Sequence, residues 1–291
     1  MKLSNYYNPE HTTISFELFP PRTERGARDL EERLPKLISL DPSYITVTYG
    51  ALGTEQNRTL EVASRIKNVY DMDVAHHLTC VSSDKEAIDK LLGQIKENNI
   101  DNIVALRGDI PEGSTSFETT PNGFSHANEL VSYIRRSSDF GIAVAGYPEK
   151  HIEAKDFKTD LFYLKKKVES GADIIITQLY YDNDHFYKFL EKCRSIGIDV
   201  PIIPGLMPIL NLDQIKRITS ICGATIPQNL LTRLESVKDD PKKLHEIGIE
   251  HTTLQALDLV QNGIQGIHFY VLNRYFHIAE IMDRIKPALR S

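Results

Sequence analysis

The sequence predicts a closed (β/α)8 barrel, and three observations predict it. Short β-rich runs begin at residues 14, 44, 74, 102, 141, 173, 200 and 266. Most of these starts are spaced as a strand, a turn and a crossover helix require. Helical periodicity fills the stretches between them. The runner-up is a doubly wound open sheet, but no GxGxxG follows the first run, where a dinucleotide fold places its phosphate loop.

The first strand, ISFELF (14–19), stops at Pro20 and Pro21. In LEERLPKLISL, Leu30, Leu34, Leu37 and Leu40 recur at helical steps, and Pro35 predicts a kink or a later start. YITVTY (44–49) and VAHHLTC (74–80) follow as strands. The next helix carries Ile88, Leu91, Leu92 and Ile95, with an N-cap expected from Ser82 or Ser83. NIVALRG (102–108) leads into a loop over 108–125, rich in Gly, Pro, Ser and Thr. GIAVAGYP (141–148), DIIITQL (173–179) and VPIIPGL (200–206) continue the series. Extra helices, over roughly 211–221, 226–238 and 241–261, precede the eighth strand, GIHFYVL (266–272). No linker interrupts this order, so one domain over residues 1–291 is expected.

A chain of 291 residues with 41% hydrophobic content can bury a sizeable core. Its net charge of -6 makes it a poor holder of nucleic acid, although a few local cations can still bind a small anion. Cys80, Cys193 and Cys222 are far apart and odd in number, which suits a reducing cytoplasm better than a disulfide framework. The N-terminal residues show no apolar signal region, and no run approaches a membrane span. HExxH, EF-hand and GxSxG patterns are absent from the sequence.

In a barrel of this kind, chemistry sits at the C-terminal ends of the strands. Alternation turns Ile14, Phe16 and Leu18 towards the helices and Ser15, Glu17 and Phe19 towards the axis. Ionisable groups are rarely buried without a partner, so Glu17 is the strongest candidate for a functional residue. Thr46 and Thr48 alternate the same way, His77 and Thr79 fall late in the third strand, Arg107 and Asp109 end the fourth, Tyr147 the fifth and Gln178 the sixth, and His268 and Tyr270 lie in the eighth. Each has an ordinary reading as well. Thr48 suits a strand by propensity, one of His76 and His77 can be structural, and Arg107 can simply pair with Asp109. Their convergence at one end describes a pocket.

These residues lie in SFELFPPR, TVTYG, HHLTC, IVALRGD, AGYPEKH, LKKKVESGAD, ITQLYYD, PIIPGLMPI and HFYVLNR, in that order. The set resembles the methylenetetrahydrofolate reductase family, flavin barrels that make methyltetrahydrofolate, across nearly the whole chain. The resemblance implies FAD at the C-terminal ends of the strands and NADH or NADPH as hydride donor. The nicotinamide leaves, and methylenetetrahydrofolate takes its place, in support of methionine synthesis. Glu17 matches the acid that protonates the departing N10 nitrogen as the cyclic aminal opens to an iminium. Acids whose surroundings disfavour the ionised form do this best. Asp109 matches an aspartate near the flavin and pterin, where negative charge favours the cationic iminium. For FAD the resemblance points to Thr48, His77, Arg107, Gly108, Asp109, Tyr147, His151, Asp160 and Lys167. Arg107 and Lys167 are the natural cations for the pyrophosphate, and Asp160 suits ribose hydroxyls. Gln178 and Arg274 match residues on the folate side.

Two departures stand out. Leu212 occupies a position where several family members carry a stacking aromatic, so ring coverage there would be by dispersion alone. Phe124 and Ser125 replace the tyrosine and alanine often found in the FSHANELV segment. The chain ends at Ser291, so the expectation is no regulatory domain and no inhibition by S-adenosylmethionine. The family implies a homo-oligomer binding only small molecules, with no membrane or nucleic-acid partner. Two other functions stay open from sequence: a related flavin barrel on another substrate, such as an amino-acid dehydrogenase, and a flavin or folate subunit fed with electrons by a partner protein.

Overall fold

Nine parallel strands alternate with helices among the described residues. They are β1 (Thr13–Leu18), β2 (Tyr44–Val47), β3 (Val74–Thr79), β4 (Asn102–Leu106), β5 (Gly141–Gly146), β6 (Ile174–Thr177), β7 (Ile202–Ile203), β8 (Gly205–Leu206) and β9 (Gly266–Tyr270). The structure is a computed structural model and describes residues 1–49, 53–109 and 117–289, with backbone alone for 53–56. Part of the loop expected over 108–125 therefore lies outside the described residues.

The sheet runs β7-β6-β5-β4-β3-β2-β1-β9-β8. Its two ends, β7 and β8, are separated in the chain only by Pro204. They are two halves of the single strand expected over 200–206. Proline has no N–H for a ladder, so the strand is interrupted there. Its carbonyl still accepts the His268 N–H at 2.9 Å. One half pairs with β6 and the other with β9, which brings the sheet round into a barrel. Gly205 makes this approach possible. A Cβ there would sit 2.3 Å from the Thr177 carbonyl oxygen and 2.6 Å from the Tyr270 ring.

The helices are α1 (Glu24–Ile38), α2 (Gly53–Tyr70), α3 (Lys85–Glu97), α4 (Ala127–Ser137), α5 (Phe157–Glu169), α6 (Asn183–Ser195), α7 (Leu212–Cys222), α8 (Gln228–Ser236), α9 (Pro241–Gln261) and α10 (Tyr275–Ile285). The extra helices before the last strand are thus α7, α8 and α9. Helix α1 starts earlier than its leucines suggest, because the Thr23 side chain accepts the Gly26 N–H at 3.0 Å and caps it. Pro35 falls in the last turn of α1, so its missing N–H removes a bond only near the helix end. Asp84, rather than Ser82 or Ser83, caps α3 by accepting from the Ala87 N–H at 2.8 Å. Ser82 has a φ of 56°, whereas an N-cap takes extended backbone.

Alternation along the strands divides the core. Ile14, Phe16, Leu18, Ile45, Val47, Ile103 and Ile142 pack outward against helix residues such as Leu34, Ile66 and Ile95. Burying each such side chain contributes about 1.5–3 kcal/mol. The opposite set fills the barrel. Tyr44, Ala75, Val104, Ala143, Ile174 and Ile203 close its lower part with Leu3 and Tyr7. Further up the axis the interior turns polar, through Ser15, Thr46, His77, His268 and Glu17. No helix among the described residues is long and apolar enough to cross a membrane.

Candidate active site

Glu17 points into the barrel, as alternation predicts, and is 8% exposed. Register places Thr46 of β2 and Tyr270 of β9 beside it. One carboxylate oxygen, Oε2, accepts from Thr46 Oγ1 at 3.5 Å and lies 3.4 Å from His77 Nε2 and 3.5 Å from His268 Nε2. The surroundings are therefore less apolar than the flanking sequence suggests. Two imidazoles and a hydroxyl converge on one oxygen. Burial pushes His77 down to about 4, opposed by Glu17 and reinforced by His268. At neutral pH the His77 contact is thus between a carboxyl group and an uncharged ring. His77 Nε2 makes no hydrogen bond despite its proximity. His268 is fully buried, shares a 2.8 Å hydrogen bond with Ser15 Oγ through Nδ1, and stands edge-on to Tyr270. The Tyr270 hydroxyl donates to the Thr177 carbonyl at 2.6 Å. Burial and the nearby Glu17 hold Tyr270 in its neutral form.

A second group forms where β4 and the segment after β5 meet. Arg107 does not pair with Asp109. Its two terminal nitrogens each donate to a carboxylate oxygen of Glu153 at 2.6 Å. Its Nε donates to the Gly108 carbonyl at 3.2 Å. Asp109 is exposed and acts on Arg107 and Tyr147 through charge alone. Gly108 has a φ of 91°, and a Cβ there would meet Val81 at 2.9 Å, so the turn requires glycine. Tyr147 and His151 stack edge-to-face at 4.6 Å. The His151 N–H donates to Asp160 at 3.2 Å, and burial raises the Asp160 carboxyl. Lys167 lies 5.8 Å from the Tyr147 ring centre and donates to the Ala145 carbonyl at 2.5 Å. Burial pulls it down to about 8, against the opposing pull of Asp160.

The remaining sequence-predicted residues are more scattered. Thr48 directly follows β2, where its N–H donates to the Leu18 carbonyl at 2.9 Å. Gln178 follows β6, and its side-chain oxygen accepts from the Leu179 N–H at 2.9 Å. Arg274 is exposed at the N-cap position of α10. Leu212 is 7% exposed and packs with Leu179, Met207, Ile209, Leu230 and Leu244. It borders a surface groove of about 600 Å³ between α7 and Glu235 of α8 that contains none of the groups around Glu17. Phe124 likewise faces the core, 5.1 Å from the Tyr133 ring.

Three more residues contribute, and strand alternation already singles out two of them, Thr46 and His268. Thr46 and His268 carry a readable signal, since both share the inward register of Glu17 and Ser15. Glu153 carries none, because it reaches Arg107 across 46 residues of chain.

A family model for methylenetetrahydrofolate reductase matches residues 2–286. Methylenetetrahydrofolate reductase (NADH) 1 of Arabidopsis thaliana is 43% identical over 283 residues, covering 94% of this chain and 48% of that protein. The 5,10-methylenetetrahydrofolate reductase of Escherichia coli (strain K12) is 37% identical over 261 residues, covering 90% and 86%. The chain spans about half the length of the plant relatives it matches. Among solved structures, an uncharacterized Clostridium thermocellum protein that binds two copies of 5-methyl-5,6,7,8-tetrahydrofolic acid superposes with a TM-score of 0.61 at 16% identity, over 96% of this chain and 95% of that one. Dihydropteroate synthase from Xanthomonas albilineans does so at 0.53 and 11% identity, over 96% and 94%. At those identities the likeness concerns the fold. From the family match and the two enzymes together, the chain belongs to the methylenetetrahydrofolate reductase family.

Proposed function

We propose that this protein reduces 5,10-methylenetetrahydrofolate to 5-methyltetrahydrofolate as an FAD-dependent oxidoreductase with NADH or NADPH as donor, in a ping-pong cycle. The observation that carries this reading is a buried glutamate at the polar end of a barrel, in a chain of this family. The working unit is one FAD-binding domain over residues 1–291, placed in the cytoplasm, with the product feeding methionine synthesis.

The residues present fit a flavin dinucleotide. His77 Nε2 and Thr79 Oγ1 are buried polar atoms without hydrogen-bond partners on the inward face of β3. Groups of this kind call for a ligand or water partner. Arg107 and Lys167 would hold the diphosphate, while Asp160, His151, Tyr147 and Thr48 would take the ribityl and nucleoside parts. When bound, the flavin supplies hydride transfer between nicotinamide and the one-carbon unit.

The protein's own share is proton transfer and charge. The Glu17 carboxyl gives its proton to N10 as the carbon–nitrogen bond opens, and the bond's electron pair stays on that nitrogen. Thr46 and His268 hold the carboxyl at the barrel axis, so the proton is delivered from a fixed direction. Asp109 places a negative charge beside the cationic iminium. Gln178 and Arg274 would orient the pterin and the remainder of the folate.

Anaerobic mixing tests the reading. The purified chain should show a flavin spectrum, bleach with NADH or NADPH, and regain colour with methylenetetrahydrofolate. Failure of both nicotinamides to bleach a bound flavin defeats the self-sufficient reductase and favours a partner protein as donor. Recovery of colour with a different substrate alone would favour another flavin-barrel activity.

A further inference from the structure

Glu153 has no assigned part in the chemistry above, yet it connects several groups that do. It lies between β5 and α5, and its carboxylate takes both terminal nitrogens of Arg107 at 2.6 Å. Two parallel N–H···O bonds fix a guanidinium in both plane and direction. The Gly108 carbonyl holds Nε at 3.2 Å, and the Phe117 ring centre lies 5.1 Å from the guanidinium carbon. An arginine has five N–H donors, and these bonds use three. Each terminal nitrogen keeps one N–H for another acceptor.

Glu153 also acts through its backbone. Its N–H donates to His151 Nδ1 at 3.1 Å, which leaves the neutral ring's proton on Nε2. Burial disfavours the charged form of that ring. His151 in turn donates its own N–H to Asp160. One residue therefore ties the end of β4 to the loop that carries His151.

We propose that Glu153 is a positioning residue for the flavin diphosphate. It presets the Arg107 guanidinium and the His151 imidazole to receive the ligand, and it stays on Arg107 after the ligand binds. This rests on the flavin reading of the site. The two side chains are 22% and 43% exposed, so solvent screens the pair. A two-pronged pair can still add to stability, and the thermal midpoint separates that role from an effect on binding.

The test uses the full chain stripped of flavin and titrated with FAD and with riboflavin, which lacks the diphosphate. Glu153→Gln should raise the FAD Kd about tenfold, equivalent to about 1.4 kcal/mol. Riboflavin affinity and the thermal midpoint should stay unchanged. In an Arg107→Ala background the same substitution should change the FAD Kd by less than about twofold, because the coupled partner is gone. Tighter FAD binding by Glu153→Gln would show a competing carboxylate and overturn the proposal. Equal effects in both backgrounds, or equal weakening of riboflavin, would overturn it as a general structural effect. If the unmodified chain binds neither flavin, the flavin reading itself fails and takes this proposal with it, a result distinct from the others.

Discussion

Replacing His76 with leucine should flatten the loss of stability in acid. His76 is fully buried on β3, with its ring 5.9 Å from Tyr49, and neither ring nitrogen has a hydrogen-bond partner. Burial, with help from the charge of His77 and opposed by a weaker contact with the His77 backbone, lowers its pKa from 6.5 to about 3. The sign comes from linkage. The unfolded chain takes up this proton near pH 6.5 while the folded protein refuses it until about pH 3. Stability is therefore intact above pH 6.5 and is lost as the pH falls towards 3. At pH 4 the loss from this one group is about 3 kcal/mol, from about 1.4 kcal/mol for each pH unit between the unfolded pKa and pH 4. Leucine removes that contribution, and it also removes two unpaired nitrogens, which adds about 1–2 kcal/mol at pH 7. Urea unfolding of both proteins at pH 7, 5.5 and 4 measures the difference. The gap should widen by about 3 kcal/mol between pH 7 and pH 4. Curves that stay parallel would mean that His76 reaches a partner or water and takes up its proton in the folded protein as readily as in the unfolded chain.

Three further outcomes rest on single residues. Burial pulls Lys167 down to about 8, and a bound diphosphate would raise that value. FAD affinity should then be constant at lower pH and weaken as the pH passes about 8, a slope that Lys167→Met removes in fluorescence titrations. Gly205→Ala puts a methyl group into the Thr177 carbonyl and the Tyr270 ring. It should destabilise the protein by about 3 kcal/mol or more, read as a fall in the unfolding midpoint. Leu212→Ala should cost about 2–4 kcal/mol of stability because the side chain is buried in a packed cluster. The nicotinamide KM should change less than twofold if packing is its main role, as steady-state kinetics would show.

The barrel was legible because strand alternation and helical steps report burial directly. Ile14, Phe16 and Leu18 face the helices, and Glu17 faces the axis, as period two requires. The split at Pro204 was less visible, since the sequence there still reads as one strand. The N-cap of α3 was misplaced by one or two residues because the left-handed backbone of Ser82 cannot be read from a serine. In the site, the neighbours of Glu17 were legible by register, whereas the partner of Arg107 was not. Asp109 is two residues away in sequence, but Glu153 is the carboxylate that meets the guanidinium. Contacts between a strand end and a distant loop arise from tertiary geometry, which local periodicity does not encode. Leu212 shows the converse. Its position in a motif suggested a ligand surface, while its side chain completes the cluster between α7, α8 and α9.

In the proposed cycle, Glu17 gives a proton to the folate and takes no part in the nicotinamide step. Rapid mixing of Glu17→Gln in the two half-reactions separately tests it most directly. Flavin reduction by nicotinamide should keep its rate within about threefold, while reoxidation by methylenetetrahydrofolate should slow at least about 100-fold. Equal loss in both half-reactions would contradict the claim and make Glu17 a residue that holds the barrel's polar end together.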